Sequence, residues 1–308
     1  MRWVKIMIKI NSVTKKYDDF TAVENINIEI ADTSVFALTG FNGSGKTTLL
    51  NICAGVVKAT SGNVLLDGND AFDNDKERKN LFYISDNMFF PPTSTIKSGA
   101  KFYAKYYENF SFDIFNAILS IFGLNEKLTI KSLSKGMKKQ VQLAIGFAAK
   151  PKYLLIDETF DGLDPHKKEL LKKLILEYIN ETNASIIIAS HNLQEVSDIC
   201  DHVAILNGKN VILNCAIEDV SEKFRKVLVT FKNDVTENDL AHINYHRIKL
   251  SGKNAMIIVC GNVENEIEKL EKMGVESLES ERLTLEEVFI EETEAASENE
   301  KIKSIFKK

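Results

Sequence analysis

The stretch that decides the fold is Gly40-Phe41-Asn42-Gly43-Ser44-Gly45-Lys46-Thr47-Thr48. Its spacing is the G-x-x-x-x-G-K-[S/T] of a phosphate-binding loop. The apolar run from 35 to 38 before it reads as a buried strand, and residues 49–54 after it read as the body of a helix. A strand, a glycine-rich loop and a helix in this order are the context that the motif requires. The sequence therefore predicts a site for a nucleoside triphosphate.

Phosphate chemistry explains the residue types in this loop. Polyphosphate has to approach backbone N–H groups closely, so side chains must be absent at the turning points. The following helix adds its positive N-terminal end. Lys46 brings a point charge to the outer phosphates, and the Thr47 hydroxyl is placed to bind Mg²⁺.

Length and composition limit the number of domains, the partners and the kinds of site that the chain can have. Its 308 residues suggest about two domains. The net charge of -5 gives no basic surface, so no nucleic acid is expected as a partner. The four cysteines form no C-x-x-C pair, so neither a zinc site nor a disulfide framework is indicated. No run approaches the ~20 apolar residues of a membrane span, so any spanning part is expected on another chain.

Two further strands end in polar groups suited to catalysis. The apolar run 153–156 closes with Asp157 and Glu158, and the run 184–190 closes with His191. In open α/β sheets, ligands bind at the carboxyl ends of the strands. We expect one acid to hold Mg²⁺ and the other to orient water. A lone histidine is more often structural, but its position at the end of a parallel strand favours a role in the site.

The segment from about 95 to 131 is predicted to be helical. Its aromatic residues at 102, 103, 106, 107 and 110 recur at helical spacing. They read either as core or as a surface for docking a partner. Ser134 is a good N-cap for a helix that Pro151 ends near residue 150. The start of such a helix could bind an anion.

These motifs, in this order, resemble those of the ATP-binding-cassette (ABC) ATPases over about residues 3–220. The glycine-rich loop resembles their Walker A motif, and residues 133–137 resemble their L-S-G-G-Q signature. Residues 153–158 resemble Walker B with its following glutamate, residues 161–164 the D-loop, and His191 the switch histidine. Many phosphate-loop proteins share Walker A, but only this family adds the signature just before Walker B.

The resemblance implies an α/β fold with a P-loop NTPase core, an antiparallel β-subdomain and a helical signature subdomain. On this reading the ATP-binding domain spans 1–220, with the helical subdomain at about 87–150. Strand and helix patterns after it indicate a small α+β accessory module at 221–292. The acidic and then basic end, 293–308, reads as a flexible tail.

The resemblance also implies the roles of the site residues. Glu158 would polarise the attacking water and His191 would contact the γ-phosphate. Mg²⁺ would be held by Thr47 and Asp157, with Asp86 as a further candidate. ATP would be bound by Tyr17, which would stack on adenine, and by Gly40, Asn42, Gly43, Ser44, Gly45, Lys46, Thr47 and Thr48. A second cassette would bring signature and D-loop contacts across the interface from Ser134, Lys135, Gly136, Met137 and Asp164.

Two features depart from the usual family pattern. The signature has Lys135 in place of a glycine and Met137 in place of a glutamine, while Ser134 and Gly136 are kept. The Q-loop position, usually glutamine or glutamate, is Asp86. Its shorter carboxylate could still reach the metal or its water.

The function implied is that of the ATPase subunit of a membrane transporter. The L-S-K-G-M signature and residues 285–289 resemble single-cassette subunits of the ABC-2 type, which usually serve exporters. The partners implied are a second cassette, with a homodimer expected, and an integral membrane permease on a separate chain. This places the chain in the cytoplasm, on the inner face of the membrane. Two alternatives are a soluble ABC ATPase that acts on a non-membrane machine and a regulatory or immunity subunit.

Overall fold

The computed structural model describes residues 6–292, apart from the side chains of 221–223 and 291–292. The tail expected at 293–308 lies outside the described residues. The chain divides into two compact units, one ending at Asn214 and the other beginning at Cys215.

Two sheets form the first unit. Its strands are β1 (Ile6–Tyr17), β2 (Phe20–Ala31), β3 (Val35–Gly40), β4 (Ser61–Leu66), β5 (Asn69–Asp70), β6 (Leu81–Ile84), β7 (Tyr153–Asp157), β8 (Ser185–Ser190), β9 (His202–Asn207) and β10 (Asn210–Ala216). The smaller sheet is antiparallel and has the strand order β2-β1-β4-β5. Alternation along β1 and β2 places one face in the core, as expected for a half-buried strand.

The larger sheet has six strands in the order β10-β9-β3-β8-β7-β6. The pairs β9–β3, β3–β8, β8–β7 and β7–β6 are parallel. Every residue of β3, β7 and β8 is buried, which explains their continuous apolar sequences. Because these three strands are parallel neighbours, the residues that follow them meet at one edge of the sheet. The architecture confirms the predicted α/β core with its antiparallel subdomain.

Seven helices are described in the first unit. They are α1 (Lys46–Cys53), α2 (Asp75–Lys79), α3 (Ile96–Tyr103), α4 (Phe112–Phe122), α5 (Lys135–Ala148), α6 (Pro165–Thr182) and α7 (Leu193–Ser197). Gly123 ends α4 in the left-handed conformation, with φ of +71°. Ser134 caps α5 by accepting a hydrogen bond from the Met137 N–H at 3.2 Å.

The aromatic stripe of the helical segment is split by the end of α3. Helix α3 stops at Tyr103, and turns replace the helix that the spacing predicted through residue 110. The rings of Tyr103 and Tyr107 pack on Phe82, with centroids 5.6 and 5.0 Å away. Tyr106 is 59% exposed. The stripe therefore lies partly in the core and partly at the surface, and its use as a docking surface stays a prediction.

The second unit is an α+β module built on one antiparallel sheet of order β12-β13-β11-β14. Its elements are α8 (Ile217–Lys223), β11 (Phe224–Phe231), β12 (Tyr245–Ser251), β13 (Asn254–Cys260), α9 (Val263–Glu271), β14 (Val275–Arg282) and α10 (Leu285–Glu292). The sequence pattern predicted only the two central strands. The edge strands β12 and β14 carry charged and serine residues and have no fully buried position, so they lack the apolar pattern of a buried strand.

Candidate nucleotide-binding and catalytic site

The glycine-rich loop joins β3 to α1 and allows no side chain at two of its glycines. A Cβ on Gly40 would lie 2.3 Å from the carbonyl oxygen of Leu206, and φ at Gly40 is +150°. A Cβ on Gly45 would lie 2.5 Å from a methyl carbon of Val23, and φ there is +98°. These glycines are thus required by close packing against neighbouring strands as well as by backbone conformation.

Lys46 is a buried cation aimed into the loop. It is 4% exposed, and its ammonium donates to the carbonyl oxygens of Gly40 at 2.8 Å and Phe41 at 3.1 Å. The ammonium also lies 3.7 Å from Oε1 of Glu158. Burial lowers the pKa of Lys46. Nearby carboxylates oppose this shift, and that of Glu158 has the largest opposing effect. A buried ammonium held mainly by neutral carbonyls is well suited to receive a phosphate.

Asp157, at the end of β7, is the most buried carboxylate of the site. Its Oδ2 accepts a hydrogen bond from the Tyr83 hydroxyl at 3.2 Å. Burial raises the pKa of Asp157, and hydrogen bonds from Thr47 and Tyr83 oppose the shift. Its Oδ1 is buried and has no hydrogen-bond partner among the residues the structure describes, and the same holds for the hydroxyl of Ser44.

These unpartnered oxygens test whether the site fits a magnesium–nucleotide complex. Buried polar atoms in native proteins are nearly always satisfied, so an unsatisfied hydroxyl in the glycine-rich loop and an unsatisfied carboxylate oxygen at the end of β7 indicate a ligand. Carboxylate and hydroxyl oxygens are the ligands that Mg²⁺ prefers. The site therefore fits the complex: Asp157 and Thr47 offer metal ligands, and Ser44 and Lys46 offer phosphate contacts.

Glu158, His191 and Asp161 form a polar cluster beside Lys46. The Nδ1 atom of His191 lies 3.8 Å from Oε1 of Glu158 and 3.7 Å from Oδ2 of Asp161. One ligand atom from each of the three lies within 4.8 Å of the others. Strand β8 pairs in parallel with β7 on one side and with β3 on the other, so the ends of the three strands lie side by side and bring this cluster together.

The signature and D-loop residues lie at the starts of two helices. Ser134 and Lys135 are exposed at the start of α5. Asp164 caps α6 by accepting from the Lys167 N–H at 3.0 Å, and this backbone hydrogen bond lowers the pKa of Asp164. Gly136 is packed more closely: a Cβ there would lie 2.4 Å from the carbonyl oxygen of Gly162 in the D-loop of the same chain.

The structure places Tyr17 and Asp86 at the surface. Tyr17 ends β1, is 43% exposed, and carries the ammonium of Lys15 at 4.9 Å from its ring centroid. Asp86 follows β6, and its Oδ1 lies 3.5 Å from Nζ of Lys135 and 3.7 Å from Nζ of Lys139. In this structure Asp86 thus contacts the signature helix.

Two site residues, Tyr83 and Lys139, were not identified from the sequence, and Asp161 was noted only as part of the D-loop. Tyr83 orients Asp157, Lys139 contacts the backbone of Glu158, and Asp161 faces His191. A phenol inside an apolar strand and a lysine beginning the apolar face of a helix are signals that could have drawn attention to the first two.

Comparison with known proteins identifies the family. Residues 23–161 match the family model for the ABC transporter. The lantibiotic transport ATP-binding protein SrtF of Streptococcus pyogenes is 30% identical over 224 residues, which cover 67% of this chain and 90% of SrtF. This chain belongs to the ABC transporter ATP-binding family.

Further relatives extend this result. The ABC transporter ATP-binding protein YtrB of Bacillus subtilis is 28% identical over 229 residues, covering 74% of this chain and 78% of YtrB. CbiO1 of Clostridium perfringens, part of the transporter complex CbiONQ, aligns with a TM-score of 0.59 at 28% identity, covering 70% of this chain and 90% of CbiO1. The fold is thus that of an ABC cassette.

Membership establishes the biochemical class. The ABC cassette described here is an ATPase subunit, because the family binds ATP and couples its hydrolysis to transport. Subunits of this family work with membrane permeases. Between residues 6 and 292, no helix combines the length and the apolar character needed to cross a bilayer.

Proposed function

We propose that this cassette powers an exporter as a dimer of two ATP-hydrolysing subunits on a separate membrane permease. The proposal goes beyond the family assignment in naming the residues, the dimer and the direction of transport. The observation that carries it is the convergence of Lys46, Asp157, Glu158 and His191 at one edge of the sheet. Residues 1–220 would carry this function, with 221–292 as an accessory module.

Nucleotide binding would use groups that the loop already orients. Tyr17 would stack on adenine, a contact that contributes about 1–3 kcal/mol without base-specific hydrogen bonds. Lys46 would exchange two carbonyl partners for phosphate oxygens, which form stronger charge-assisted hydrogen bonds. Mg²⁺, when held by Thr47 and Asp157, supplies neutralisation of phosphate charge. The Tyr83 hydroxyl would keep the Asp157 carboxylate in place.

Catalysis would depend on Glu158 and His191. The carboxylate of Glu158 would accept a hydrogen bond from the attacking water and orient it towards the terminal phosphate. Its 3.7 Å separation from the Lys46 ammonium supports this role, because Lys46 would contact the same phosphate. His191, which lies between Glu158 and Asp161, would contact the same phosphate and hold the geometry.

The exposed start of α5 supports a composite site. Ser134 and Lys135 present a helix N-terminus and a cation to solvent, a combination that favours a phosphate. A second copy would insert this helix start, with Gly136 and Met137, opposite the loop of the first. Asp164 would line the same interface. ATP would thus join two cassettes, and hydrolysis would let them separate.

The aromatic surface next to Asp86 supports docking of a permease. Phe89 is 61% and Tyr106 59% exposed, and both rings pack against Phe102, with centroids 5.8 and 5.4 Å away. Exposed apolar patches of this kind mark interaction sites. Docking there would hold the cassette on the cytoplasmic face of the membrane. Substituting both exposed rings by aspartate should abolish co-purification with the permease in detergent.

The direction of transport rests on sequence likeness. The L-S-K-G-M signature resembles the ABC-2 type, and one relative is a lantibiotic transport protein. Export predicts ATP-dependent accumulation of cargo inside inverted membrane vesicles, with a lantibiotic as the trial cargo. Accumulation only in right-side-out vesicles would instead establish import.

Glu158→Gln tests the catalytic and dimer proposals together. We expect unchanged ATP affinity, a fall in turnover of at least ~10²-fold, or about 2.7 kcal/mol, and an ATP-dependent shift to dimer in size-exclusion chromatography. Glu177→Gln, on the exposed side of α6, is the matched control and should behave as wild type. Unchanged turnover would remove Glu158 from its role, and a persistent monomer would contradict the dimer.

A further inference from the structure

Lys139 is a buried cation outside the motifs that define the family site. It lies in the second turn of α5, where the buried face of the helix begins, and is only 3% exposed. Burying an ammonium is costly unless it is paired and hydrogen-bonded. An apolar residue would fill the same position at lower cost, so the contacts of Lys139 have to explain its presence.

Those contacts are with the catalytic segment and the Q-loop position. The ammonium of Lys139 donates a hydrogen bond to the backbone carbonyl oxygen of Glu158. It also lies 3.7 Å from Oδ1 of Asp86, whose side chain is 50% exposed. Among the described residues, the carboxylate that pairs with Lys139 is thus half in solvent, while its backbone partner is the carbonyl of the proposed catalytic glutamate.

The backbone at Glu158 needs such support. Its φ is +48°, in the left-handed region that non-glycine residues rarely adopt. The Glu158 N–H is fixed by the carbonyl oxygen of Ala189 at 2.9 Å, and Lys139 fixes the carbonyl on the other side of the same Cα. With both peptide groups held, the side chain is directed towards Lys46 and His191.

We propose that Lys139 is a positioning residue for hydrolysis: its ammonium holds the Glu158 carbonyl and thereby directs the Glu158 carboxylate. The inference rests on the proposed role of Glu158. In this arrangement the carboxylate of Asp86 is the countercharge that keeps the Lys139 ammonium in place. It also connects the signature helix to the water-activating residue of its own subunit.

The first experiment separates turnover from binding in the full-length chain. Lys139→Met keeps the length of the side chain but removes its charge and its donor. A misplacement of about 1 Å in a catalytic group can cost 10²-fold, so we expect kcat to fall about 10- to 100-fold while ATP affinity stays within about twofold. Lys138→Met, which removes the same charge one residue away, should keep wild-type kcat. A Lys139→Met enzyme with wild-type kcat would overturn the inference.

A double-variant cycle then distinguishes positioning from general support of the fold. If Lys139 acts through Glu158, adding Lys139→Met to Glu158→Gln should lower turnover less than about twofold further. Multiplied losses in the double variant would overturn the inference. Wild-type turnover of Glu158→Gln alone would instead overturn the proposed role of Glu158. Should Lys139→Met fail to bind ATP, the same cycle run with Lys139→Gln decides by the same criterion.

Discussion

The substitution Gly136→Ala distinguishes two explanations for the glycine in the signature segment. The family resemblance implies that Gly136 contacts the phosphate of a nucleotide bound to a second cassette. In the structure, Gly136 packs against the D-loop of its own chain. A Cβ at 136 would lie 2.4 Å from the Gly162 carbonyl oxygen, 1.0 Å short of the 3.4 Å at which ordinary contact begins. Because the obstacle is backbone, the strain cannot be relieved by rotating a side chain.

The expected change in the free energy of unfolding of Gly136→Ala is the difference between two opposing effects. Overpacking costs about 1–3 kcal/mol, while replacing a helical glycine by alanine gains up to about 1 kcal/mol. A net loss of about 1 kcal/mol lowers Tm by roughly 2–4 °C in a domain of this size. Displacement of Gly162 would also move Asp164, two residues later, so turnover should fall while ATP affinity is kept.

Differential scanning calorimetry and steady-state turnover measure the two effects. Gly146→Ala is the control in the same helix, because the nearest atom to its new Cβ is the flexible end of Ile84 at 2.7 Å. We expect a smaller change in Tm for this control. A Gly136→Ala protein with wild-type Tm and lost turnover would refute the packing argument and leave the partner's phosphate as the reason for the glycine.

Three further predictions concern the loop and its surroundings. Lys46→Ala should abolish ATP binding, as measured by equilibrium titration with a fluorescent nucleotide, because it removes the buried cation; wild-type affinity would refute the assignment of the loop. Tyr83→Phe should weaken the apparent affinity for Mg²⁺ in ATP binding by about tenfold or more, since the Tyr83 hydroxyl donates to a carboxylate and a hydrogen bond to a charged group contributes about 1.5–3 kcal/mol. An unchanged Mg²⁺ titration curve would show that Asp157 needs no support from Tyr83. Asp86→Asn should leave that Mg²⁺ curve unchanged, because its carboxylate faces two lysines; a clear shift of the curve would make Asp86 a metal ligand.

The residues that sequence could predict are those fixed by local rules. The glycine-rich loop depends on its own backbone conformation, and Ser134 and Asp164 cap helices within three residues of themselves. Continuous apolar runs predict the buried strands β3, β7 and β8. The order of motifs along the chain was therefore enough to predict the α/β fold.

The contacts that sequence reasoning missed join distant segments of the chain. Tyr83 reaches Asp157 across 74 positions, and nothing near Tyr83 in the chain indicates a polar partner. Lys139 appears as a surface lysine until α5 is packed against the Glu158 segment. Asp161 joins His191 only because β7 and β8 are neighbours in the sheet. The contacts of Tyr83 and Asp161 are created by strand order and that of Lys139 by helix packing, and local patterns encode neither.

The start of α5 joins two functions because it has two faces. Its outer face carries Ser134 and Lys135, the groups proposed to bind the partner's nucleotide. Its inner face carries Gly136, against the D-loop carbonyl of Gly162, and Lys139, bonded to the carbonyl of Glu158. A helix turn is too stiff to shift one face without the other. Any displacement of the outer face by a bound phosphate therefore reaches the segment that holds the cassette's own catalytic carboxylate.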